Sequence, residues 1–65
     1  MNNLGQRLIL YRAVNGLSQR EFAKRVGLGE MTIVHIERNP DHKLRASTRA
    51  RIEYVLSGGK LPAGR

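Results

Sequence analysis

The sequence predicts an all-α fold built from four to five short helices. Three observations carry that reading. Leu4, Leu8 and Tyr11 recur at i, i+4 and i+7, the spacing of one buried helical face. Ser18 followed three positions later by Glu21 forms a capping-box pattern, and Gly27 then marks a helix end. Residues 44–57 lack the alternating β-branched pattern that a hairpin would show.

The first helix is expected over about Leu4 to Val14, after a short polar lead at residues 1–3. Arg12 sits at the edge of its apolar stripe. Ile9, Leu10 and Val14 lie outside the stripe, where they either cover a partner or face water. Asn15-Gly16 tolerates positive φ and ends the helix, and Leu17 packs inward. In the second helix Phe22, Ala23 and Val26 share one face. Gly27 suits a left-handed terminus, Leu28 is an apolar plug, and Gly29 opens the third helix.

Glu30 to Arg38 carries the functional argument. At about 100° per residue, Ile33 and Ile36 fall on one side, flanked by Thr32 and Glu37. The other side collects Glu30, Met31, Val34, His35 and Arg38. Two isoleucines would seat this helix and leave a mixed polar and apolar row facing outward. Such a row suits base edges in a DNA major groove, where polar groups form hydrogen bonds and apolar groups meet thymine methyls. The plainer alternative is a solvated helix face.

Pro40 forbids continuation of the third helix and biases Asn39 away from helical backbone, although an asparagine can also take the left-handed conformation. A fourth helix is expected from about Ser47 to Leu56, capped by Ser47 or Thr48, with Ile52, Val55 and Leu56 inward. Tyr54 points away from that face, toward solvent or a dimer contact. Ser57-Gly58-Gly59 stops the helix. The expected division is a domain over 1–57 and a flexible tail over 58–65, with Leu61 a possible single plug. The expected core is Leu4, Leu8, Tyr11, Leu17, Phe22, Ala23, Val26, Leu28, Ile33, Ile36, Ile52, Val55 and Leu56.

Charge narrows the class of partner. Twelve Lys and Arg against five Asp and Glu give a net +7 in 65 residues, with a pI near 11.2, the footprint of a polyanion binder. The cations are spread along the chain and must be gathered by folding. Two Tyr, one Phe and no Trp are poor material for stacking single strands. There is no cysteine, and His35 and His42 lack convincing co-ligands, so no metal and no cofactor is expected. No apolar run has membrane-spanning length and no signal-peptide pattern opens the chain. A cytoplasmic location, in a bacterial or phage-infected cell, and no membrane partner are the corresponding expectations. Glu30 and His35 share a face but have no nucleophile or metal to work with, so neither catalysis nor a small-molecule ligand is expected.

Residues 4–56 resemble the Cro/phage-repressor helix-turn-helix family, also called XRE-like. The resemblance rests on Arg12, Leu17-Ser18-Gln19, Phe22-Ala23, Val26-Gly27-Leu28, Thr32-Ile33, Ile36 and Glu37. It implies a lambda-repressor-like domain with an abbreviated C-terminus, since residues 60–65 are too short and interrupted for a fifth helix. The chain departs from the family where Arg38-Asn39 replaces the usual Asn-Gly after the acidic residue.

The resemblance implies sequence-specific binding of a double-stranded DNA operator, as a homodimer on a palindrome, by a phage Cro-like repressor. It places base contacts at Glu30, Met31, Thr32, Val34 and His35, although the wheel sets Thr32 nearer the buried flank. Phosphate contacts fall at Gln19, Arg38, Lys43, Arg45 and Arg49; the plainer reading of Gln19 is a solvent-facing side chain. Arg12 and Glu37 are the implied structural ion pair, and the wheel agrees in setting Glu37 at the border of its buried face. The alternative function is a helix-turn-helix module that binds a protein, antitoxin-like or polymerase-contacting, and touches DNA secondarily.

Overall fold

The computed structural model describes residues 3–39 and 43–60. Among them the chain forms four helices, and the fold is all-α: α1 (Leu4–Asn15), α2 (Gln19–Val26), α3 (Glu30–Arg38) and α4 (Ala46–Leu56). The remaining positions include Pro40, Asp41 and His42 and the segment 61–65, so the Leu61 plug and any role of His42 lie outside the described residues.

Helices α1 and α2 begin on capping boxes and end on left-handed glycines, each a local chemical reason. The polar lead supplies a cap: Asn3 Oδ1 accepts from Gln6 N at 2.9 Å, and Gln6 Oε1 accepts from Asn3 N at 3.1 Å. This is a second capping box, with asparagine and glutamine in place of serine and glutamate. In the first box Ser18 Oγ accepts from Glu21 N at 3.0 Å, and Glu21 returns the bond to Ser18 N at 2.8 Å. Those bonds hold the exposed Glu21 carboxyl below the usual carboxylate range against some desolvation, with smaller help from Arg25 and Lys24. Gly27 closes α2 at φ 71°, a region costly for side chains with a Cβ, and Leu28 N then donates to Ala23 O at 2.9 Å.

Two termini differ from the sequence expectations. The fourth helix starts at Ala46, with Arg45 in the capping position and no side-chain cap, so neither Ser47 nor Thr48 caps it. Leu44, absent from the expected core, packs against the buried cluster just before the helix and draws the chain in early. Ser47 and Thr48 thereby become second and third residues of α4. At the end of α3, Asn39 is extended (φ −129°, ψ 92°) and not left-handed. The proline that follows excludes the more compact alternatives.

Among the described residues nine form the buried core: Leu4, Leu8, Phe22, Ala23, Val26, Ile33, Ile36, Ile52 and Val55. Tyr11, Leu17, Leu28, Leu44 and Leu56 are half-buried around it. Tyr11 and Phe22 meet edge to face, with ring centroids 5.6 Å apart. Helices α1 and α2 each pack against both α3 and α4. Gly5 is itself buried and lies against α3: a Cβ there would come within 2.6 Å of the Ile36 carbonyl oxygen. Close approach of two backbones requires a glycine at this position. Gly58 N and Gly59 N donate to Val55 O at 3.0 Å and Tyr54 O at 2.9 Å, so Ser57-Gly58-Gly59 closes α4 as its residue types predict.

Candidate nucleic-acid interface

The third helix is seated by the two isoleucines that its pattern singled out. Ile33 is fully buried and Ile36 nearly so. On the far side Glu30, Met31, His35 and Arg38 are exposed, Met31 to 61%. Val34, assigned to the outward row, is half-buried, and Thr32 is half-buried as well. The charges suit the helix dipole, with Glu30 in the first turn and His35 and Arg38 in the last.

The orientation of α3 is set by one carboxylate. Glu37 accepts from Arg12 Nε at 2.7 Å and from Arg12 Nη2 at 2.9 Å, a two-point ion pair. Its side chain is 7% exposed and that of Arg12 is 20%. The third arm of the guanidinium donates to Leu17 O at 3.0 Å. The hydrogen bond to Glu37 and its charge raise the Arg12 pKa against the opposing effect of desolvation. A planar fork of this kind fixes angle as well as distance. Glu37 also accepts from Gln19 Nε2 at 3.0 Å. One acid therefore joins α1, the turn before α2, the first residue of α2 and the last turn of α3.

Gln19 thus differs from a plain solvent-facing side chain, being half-buried and hydrogen-bonded. The sequence carries a weak signal for this, because Gln19 directly follows the Ser18 cap and so starts α2 on the side facing the turn. Gly5 was missed entirely; its only signal is a glycine one residue inside a helix of strong helix formers.

The remaining expected phosphate contacts, Arg38, Lys43, Arg45 and Arg49, are all exposed. Arg49 Nε stands 3.7 Å from Glu53 Oε2, and Arg7 Nη2 stands 2.7 Å from Glu53 Oε1. The Arg7 hydrogen bond holds the Glu53 carboxyl below its usual range against desolvation, with smaller help from the charges of Arg7 and Arg49. Arg51 is committed elsewhere: Nη1 donates to Gly27 O at 3.3 Å, where a cation meets the negative end of α2. Glu30 forms no ion pair among the described residues.

An open apolar groove of about 310 Å³ lies between α1 and α4, lined by Arg7, Leu10, Tyr11, Val14, Asn15 and Leu56. It includes no residue of α3. Among the described residues no cluster of three metal-ligating side chains occurs, and no helix is long and apolar enough to cross a membrane.

The family model described as helix-turn-helix matches residues 8–53, from the second turn of α1 through most of α4. No curated protein and no solved structure gives a match to the chain.

Proposed function

The chain belongs to the helix-turn-helix family, and from that premise we propose a sequence-specific regulator of transcription that binds double-stranded DNA through α3. Such motifs place their second helix in the major groove. The observation that carries the reading is the outward row on α3: exposed Glu30, Met31 and His35, backed by two fully seated isoleucines.

Glu30 accepts from a cytosine amino group, Met31 and Val34 meet thymine methyls, and His35 donates to guanine or phosphate. Thr32 supports them from the flank. Gln19, Arg38, Lys43, Arg45 and Arg49 hold the backbone. The net charge of +7 supplies the long-range attraction. Within this proposal residues 1–57 are the DNA-binding unit, the operator is palindromic, and two copies bind half-sites about one helical turn apart. Exposed Leu10, Val14 and Tyr54 offer apolar surface to a second copy. A Cro-like repressor acting in the bacterial or phage-infected cytoplasm is the specific form we favour.

A second reading, an antitoxin-like or polymerase-contacting helix-turn-helix module that binds a protein and touches DNA secondarily, draws on the same exposed aliphatics of α1. Selection from random duplex DNA with the whole chain tests the first. A recovered two-fold motif with half-sites about one turn apart supports it. Recovery of no motif, together with binding that does not weaken steeply from about 50 to about 200 mM salt, refutes it.

A further inference from the structure

Gln19 has three rotatable bonds and, left alone, would sample many positions at the surface. It does not do so here. Its Nε2 donates to Glu37 Oε1 at 3.0 Å, and that carboxylate is itself clamped on both oxygens by Arg12. A carboxylate only accepts, so the NH₂ end of the amide must be the end that faces it. Flipping the amide would set its Oε1 against Glu37 Oε1, oxygen against oxygen. One N–H is thereby used inward, and the second is left over on a half-buried side chain in the first turn of α2. Order imposed before binding need not be imposed during it, which favours the bound state.

We propose that Glu37 is a positioning residue for DNA contact. It holds the Gln19 amide with one N–H inward and presents the other N–H to a phosphate oxygen of the duplex. Arg12 keeps Glu37 in place and so acts on the same contact from a third helix. The ion pair is then coupled to DNA affinity through a named side chain, beyond tying α3 to the scaffold. This rests on the function proposed above.

The test is a double-mutant cycle on the whole chain: Gln19→Ala, Glu37→Met and the two combined. Each is titrated with a random-sequence duplex of about 20 base pairs in about 50 mM salt, after circular dichroism shows it folded. A hydrogen bond to a charged phosphate predicts that Gln19→Ala weakens binding about tenfold in the wild-type background. In the Glu37→Met background the same change should cost less than about twofold, because no acceptor remains to hold the amide. An equal cost in both backgrounds overturns the proposal while leaving the DNA-binding function standing. A wild-type chain that ignores the duplex removes that function and the proposal with it.

A second measurement needs no variant and decides the matter if Glu37→Met does not fold. In the nitrogen-15-labelled wild type, one Gln19 side-chain amide proton should hold its resonance on addition of the duplex while the other moves. Both moving alike, or neither moving while the duplex binds, overturns the proposal.

Discussion

Replacing Gly5 by alanine tests the placement of α3 at its tightest contact. An added Cβ would lie 2.6 Å from the Ile36 carbonyl oxygen and 3.5 Å from the Glu37 Cα. The first distance falls about 0.8 Å short of the 3.4 Å where ordinary van der Waals contact begins. The atom met is backbone, so no rotamer change relieves it, and α1 and α3 must separate. Overpacking of this kind costs about 1–3 kcal/mol. Alanine recovers up to about 1 kcal/mol of helix propensity, less near a helix start. The net expectation is a loss of about 1–2 kcal/mol, which for a domain of this size lowers Tm by roughly 5–15 °C. Thermal and urea unfolding followed by circular dichroism measure it. Ala13→Gly, at an exposed position of the same helix, calibrates the propensity term and should lose about 0.5–1 kcal/mol. A Gly5→Ala protein as stable as the parent would refute the close packing of α1 on α3. Because the contacted atoms belong to α3, duplex affinity should also fall at temperatures where the variant is fully folded. Lost stability with unchanged affinity would mean that α1 retreats without moving α3.

Three further outcomes follow from the same geometry. Glu30→Ala should relax the preference at one base position in a binding selection, without reducing total affinity, because it removes an acid from beside phosphates; an unchanged motif would remove Glu30 from the readout. Arg49→Ala should weaken all duplexes alike and reduce the slope of log affinity against log salt by about 1, whereas a sequence-selective loss would contradict a phosphate role. Glu53 has a lowered pKa through Arg7, so its stabilising effect is present above the ordinary glutamate range near pH 4.3 and fades as pH falls below it. The pair is largely solvent-screened and is worth only about a few tenths of a kcal/mol. Urea melts should therefore show a small gap between wild type and Glu53→Gln at neutral pH that closes toward about pH 2; a gap that persists or widens in acid would refute the linkage.

Much of the fold was legible because its signals are local. A serine followed by glutamate at the third position satisfies orphan N–H groups within one turn, whatever the rest of the chain does. The Gly27 turn and the inward pair Ile33 and Ile36 likewise depend on backbone sterics and on a 3.6-residue period. The start of α4 was misread for the converse reason. Ser47 and Thr48 are good local caps, but burial of Leu44 outweighed them and began the helix at Ala46. At Asn39 two local preferences competed, and the steric demand of the following proline prevailed.

What the chain determines by itself is therefore the number and kind of its elements, the buried side of α3 and an excess of cations, since these depend on periodicity, capping chemistry and composition. What needed the tertiary structure is every distance between elements. That Gly5 lies on the Ile36 carbonyl, that Glu53 draws off Arg7 and Arg49, and that Gln19 joins Arg12 on Glu37 depends on how helices far apart in sequence cross. Crossing is decided by the summed packing of the core, and no single stretch of residues contains that sum.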